Sequence, residues 1–140
     1  MKYISVELFK SQSEKVQMEL RKINTKDTDL FVVEHSDGTL SRPYLWIELL
    51  EVFAMNEFGK VYPLLDEEKL RRFIESKTKL PVCLNPRYLN HKIEYQVEAF
   101  EVKGDYYLKS IMKSNIYENP IYAYWEIACK LINKITNIKI

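Results

Sequence analysis

Two histidines, two cysteines and a scatter of carboxylates are the residues of this chain with the means for chemistry. His91 stands four residues after Arg87 and three before Glu94. A histidine near a cation and a carboxylate could carry the proton in a small nuclease or transferase. Yet the stretch reads as exposed strand and lacks the burial that tunes a catalytic group. His35 sits beside a turn. Neither histidine has a His or Cys partner at ligand spacing, so no metal and no cofactor is expected. Cys83 falls in an expected strand and Cys129 in the expected last helix. Far apart and without a CxxC pair, both read as small buried hydrophobes. With three glycines the chain offers neither GxGxxG nor GxxxxGK[ST], and its serines lack a GxSxG elbow. No catalytic residue is assigned, and the chain is not expected to be an enzyme.

What remains is surface. The net charge of +1 hides two blocks of opposite sign. From Pro43 to Glu68 six acids face Lys60 alone, a net −5, and from Lys69 to Lys92 seven bases face Glu75 alone, a net +6. Lys69, Arg71, Arg72, Lys77 and Lys79 give the expected third helix the charge that phosphate binding needs. No nucleic-acid-binding pattern accompanies them, so a solvated face is expected and nucleic acid is not the expected partner. Tyr44, Glu48, Glu51 and Met55 recur at spacings of four, three and four in the expected second helix, opposite Trp46, Leu50 and Phe53. Aromatic residues and Met are enriched at interfaces, and the two acids suit a basic partner. These four form the expected partner-binding strip.

The elements that must carry these residues are legible to different degrees. The strongest is Asn119 to Ile135: Asn119 is a good N-cap, Pro120 fits the first helical position, and Ile121, Trp125, Ala128, Ile132 and Ile135 share one helical face. Tyr124, Ile127 and Leu131 widen that face, so the helix is expected to lie across a sheet. Alternation of Ile4, Val6 and Leu8 suggests a first strand, and Ser11 with Glu14 suggests a capping box for a helix over 12–24. Leu30 to Val33 reads as a strand returned by Ser36-Asp37-Gly38. Ser41-Arg42-Pro43 is expected to open the second helix and Gly59 to end it. Val61 to Leu65 reads as extended, Asp66 as the cap of the third helix, and Leu80 to Leu84 as a strand ended by an Asn85-Pro86 turn. Ile93, Tyr95, Val97 and Ala99 alternate with polar residues, with a bulge expected near Ala99 and a last strand over 106–112 after Gly104-Asp105.

The expected fold is α+β, a single domain over 1–140. An antiparallel sheet of four to six strands packs against about four helices. No signal peptide or membrane span is read, so a cytoplasmic protein is expected. Abundant Lys, Ile, Asn and Tyr with scarce Ala and Gly match AT-rich genes and point to a low-GC bacterium, phage or mobile element. The expected function is a small protein-binding inhibitor, such as an immunity protein neutralising a bacterial toxin or nuclease. The alternatives are a phage-encoded inhibitor of a host defence enzyme and a small enzyme using His91 and Arg87.

Overall fold

The structure is a computed structural model. It describes residues 2–53, 60–105 and 107–138, with the side chains of 50–53, 107 and 135–138 left aside. The chain divides into two compact units, Ser5–Leu65 and Met1–Ile4 with Asp66–Ile140. The described residues form an α+β protein with six strands in two antiparallel sheets of three. The strands thus do not join in the single sheet that the alternation suggests. Alternation tells which residues face a core but not which strands pair.

In the first unit, α1 (Val6–Lys10) replaces the expected first strand. Ser5 decides this: its hydroxyl accepts the Leu8 N–H at 3.1 Å and caps the turn. Val6 and Phe9, three apart, are then buried together, where an alternating strand would have paired Val6 with Leu8. Ser11 closes α1, so the cap of α2 (Glu14–Arg21) falls to Ser13 rather than Ser11. Strand β1 (Leu30–Glu34) runs between β2 (Tyr44–Leu45) and β3 (Lys60–Pro63). The expected turn after β1 is present, with Gly38 at φ +86° and the Asp37 carboxylate accepting from the Thr39 N–H and hydroxyl. Helix α3 (Trp46–Phe53) starts later than expected, because Tyr44 and Leu45 pair with Phe31 and Leu30. Phe31, Val33 and Leu49 make a core that Tyr44, Trp46 and Val61 pack against. Gly59, the expected end of this helix, lies outside the described residues.

Arg21 links three elements of this unit. It donates to the Val61 carbonyl, and its guanidinium lies 5.3 Å from the Phe9 ring and 5.0 Å from the Tyr62 ring. Buried Asn24 donates to the carbonyls of Leu30 and Leu64 at 3.0 and 3.1 Å, joining the entry of β1 to the exit of β3.

In the second unit, Asp66 caps α4 (Glu67–Thr78) as expected, accepting the Lys69 N–H at 2.9 Å. Strand β4 (Cys83–Leu89) runs straight through Asn85-Pro86, which is no turn. It pairs with β5 (Lys92–Lys103), and β5 pairs with β6 (Tyr107–Lys113). The expected bulge is present as a register shift between Ala99 and Phe100. Helix α5 (Pro120–Ile138) packs on β5 and also on α4, which explains the breadth of its apolar face. The Asn119 side chain accepts the Ile121 N–H at 3.1 Å.

Candidate functional site

Exposed apolar residues of the second unit gather at two hairpin ends, Tyr88, Leu89 and Ile93 on β4–β5 and the paired Val102 and Leu108 on β5–β6, and the first carries the larger set. Its two-residue loop is Asn90-His91, with φ of +51° and +63°. Positive φ at both positions is the turn whose twist matches a two-residue hairpin. Asn tolerates this backbone. His does so at a cost, since its Cβ crowds the following carbonyl. Leu89 then faces Lys92, Tyr88 faces Ile93, Arg87 faces Glu94 and Pro86 faces Tyr95.

The base of the hairpin is held along its β5 side. Segment 114–117 continues along β5 beyond the end of β6. Ser114 N–H donates to the Val97 carbonyl, and Tyr95 and Tyr117 exchange both backbone hydrogen bonds at 2.7 and 2.9 Å. With its N–H and C=O turned toward Tyr117, Tyr95 forms a non-hydrogen-bonded pair with Pro86. The missing N–H of Pro86 therefore faces the open edge of the sheet, where a proline costs nothing. That is why the residue read as a turn marker sits inside a strand.

Glu126 of α5 fixes the segment in turn. Its carboxylate accepts from the Tyr117 hydroxyl at 2.8 Å, from Asn115 N–H and Nδ2 at 3.1 and 3.0 Å, and from Lys130 Nζ at 2.8 Å. Burial alone would raise its pKa, but the bonds from Lys130, Tyr117 and Asn115 outweigh this and hold it below its ordinary value. Burial, and then Glu126, push the Tyr117 phenol up, so it remains a donor.

Beyond Tyr95 the cover ends. Val97 and Ala99 are buried, whereas Ile93 is 51% exposed, Leu89 56% and Tyr88 69%. Side chains alternate along a strand, so Tyr88 and Ile93 occupy one face while Leu89, Arg87 and Lys92 occupy the other. At about 3.3 Å per residue, the hairpin reaches roughly 13 Å past Tyr95. It is apolar on both faces at its end.

The expected strip is not assembled as a single helical stripe. Tyr44 lies in β2, ahead of α3. Glu48 is in the first turn of α3, where it accepts the Leu45 N–H at 3.1 Å, the return half of a capping box. Arg42 stacks 4.0 Å above the Tyr44 ring and also pairs with Glu48 at 3.1 Å. These contacts lower the Glu48 pKa, the Leu45 N–H contributing most. Tyr44 and Glu48 are thus engaged within the chain. The Glu51 side chain and Met55 lie outside the described residues.

His91, Arg87 and Glu94 share the hairpin but do not converge. The His91 ring meets Tyr88 edge-on at 6.5 Å, on the face opposite Arg87 and Glu94. Among the described residues no three His, Cys, Asp or Glu side chains gather to hold a metal. No helix among them is long and apolar enough to cross a membrane. Cys129 is buried, with its thiol pushed up to about 12, whereas Cys83 is exposed on edge strand β4 and departs from the expected burial. On α4 the acids Glu67 and Glu68 fill the first turn and Lys77 the last, an order that suits the helix dipole. Arg72 pairs with Glu68, and Lys77 lies 5.6 Å from the Phe73 ring. A hollow of about 260 Å³ at the start of α4 is lined by Lys2, Asp66, Glu67, Glu68 and Ile121, with Asp66 already engaged as the cap.

Comparison with family models finds no match, and no curated protein or solved structure shows significant similarity to the chain. Among the exposed apolar residues that sequence reasoning passed over are Tyr88, Leu89 and Ile93. Their signal was Asn90, set between two runs of strand-forming residues.

Proposed function

We propose that this chain is a small cytoplasmic protein-binding inhibitor, such as an immunity protein that neutralises a bacterial toxin. It acts by surface complementarity and catalyses no reaction itself. One observation supports this reading: Tyr88, Leu89 and Ile93 stand exposed on a hairpin whose base is held by Tyr117 and Glu126. Clustered exposed apolar side chains mark interaction sites, and a fixed hairpin loses little entropy when it docks. A phage-encoded inhibitor of a host defence enzyme would make the same demand on the surface. The test is co-expression with each gene flanking its own. The expected result is one flanking product that arrests growth alone, is tolerated with this chain, and co-purifies with it in a fixed ratio. Harmless flanking genes, together with affinity purification from the native host that yields no protein, would refute the reading.

A further inference from the structure

We infer that the β4–β5 hairpin enters an apolar cleft of the partner protein, and that the cleft carries carboxylates on the side that meets Leu89. This rests on the protein-binding reading above and adds which surface binds and what chemistry it meets. A flat partner could cover one face of the tip, either Tyr88 and Ile93 or Leu89. Only a cleft covers both. The charge points the same way. From Asn85 to Ile93 the chain holds Arg87 and Lys92 and no acid. Both bases flank Leu89 on its own face. Lys92, next to the loop, reaches back to pair with Glu118, while Arg87 makes no ion pair among the described residues although Glu94 lies opposite it. Exposed Arg87, on the Leu89 face, and exposed Tyr88, on the other, are of the residue types that dominate interface hot spots. Bases stack on aromatic rings and make little use of Leu89 and Ile93, so a protein cleft is favoured over a single-stranded nucleic acid.

The test places a photo-crosslinking side chain at position 89, with a control at exposed Met18, in the full chain expressed in its native host. The expected result is an adduct at 89 and none at 18, its cross-linked peptide lying in a cleft of the partner beside Asp or Glu. With that partner purified, Leu89→Lys should weaken binding about tenfold, the loss of one buried leucine. Leu89→Asp should weaken it at least tenfold further, because it sets like charges together. Unchanged secondary structure and melting of both variants confirms the fold. Equal weakening by the two substitutions would overturn the acidic rim. A partner that cross-links at 18 and not at 89, or is indifferent to both substitutions, would overturn the hairpin while leaving the protein-binding reading intact. Loss in Leu89→Asp of binding to phosphatidylserine vesicles or to a 20-nucleotide single strand, with protein binding unaffected, would also overturn it.

Discussion

Replacing Glu126 by Ala removes the acceptor for the Tyr117 hydroxyl, two Asn115 donors and Lys130. The contributions differ. Half-buried Tyr117 loses a charge-assisted bond worth about 2 kcal/mol. The Asn115 donors are exposed and turn to water, so together they cost about 1 kcal/mol. The Lys130 pair spans one helical turn at the surface and contributes about 0.3 kcal/mol. The expected loss is therefore about 3 kcal/mol, a fall of about 1 M or more in the urea midpoint. Glu126→Gln keeps one acceptor oxygen and should cost about half as much. The pH dependence follows from the direction of the shifts. The folded Glu126 carboxyl titrates below its ordinary value of 4.5, so its contribution is complete above about pH 5 and is lost as pH falls through the folded pKa. Tyr117 titrates above 10.0, so its contribution is complete below pH 10 and is lost as pH rises through the folded pKa. Urea titrations of wild type, Glu126→Gln, Tyr117→Phe and the double variant, followed by circular dichroism at pH 7 and pH 3, measure the Tyr117–Glu126 bond and the acid loss of the Glu126 contribution. A Gln variant within about 0.5 kcal/mol of wild type at pH 7, or a deficit equally large at pH 3, would refute the reasoning.

Two further perturbations probe the hairpin turn and, separately, the first unit. His91→Gly should raise stability by about 0.5–1 kcal/mol, because His91 holds φ +63° where glycine is unstrained; a lower denaturation midpoint would contradict the turn geometry. Arg21→Ala should cost about 2–3 kcal/mol in urea unfolding, from the bond to the Val61 carbonyl and the contacts with the Phe9 and Tyr62 rings. Arg21→Lys should recover less than half of that, since an ammonium cannot lie flat against rings while donating to a carbonyl.

The elements legible in the sequence were those whose local chemistry agreed with their packing. Asn119-Pro120 with a broad apolar stripe gave α5, Asp66 gave α4, and the phase change after Ala99 gave the bulge. The misreadings came from residues with two local solutions. Ile4, Val6 and Leu8 alternate as a strand would, but a single serine hydroxyl on the Leu8 N–H tips the backbone into α1. Pro86 marks a turn unless its missing N–H faces an open edge, and that depends on Tyr117, distant in sequence. The strip of Tyr44, Glu48, Glu51 and Met55 required one continuous helix. The pairing of Tyr44 with Phe31 and the stacking of Arg42 on its ring could not be read from spacing. Asn90 offered a local signal for the hairpin, yet its exposure depends on where α5 stops covering β5.

The most direct measurement is the affinity of the purified partner for wild type, Leu89→Lys and Leu89→Asp, determined by titration calorimetry at one salt concentration. Graded loss in that order, with folding unchanged, is the predicted result. Three equal affinities would contradict the claim that this molecule acts through the tip of its β4–β5 hairpin.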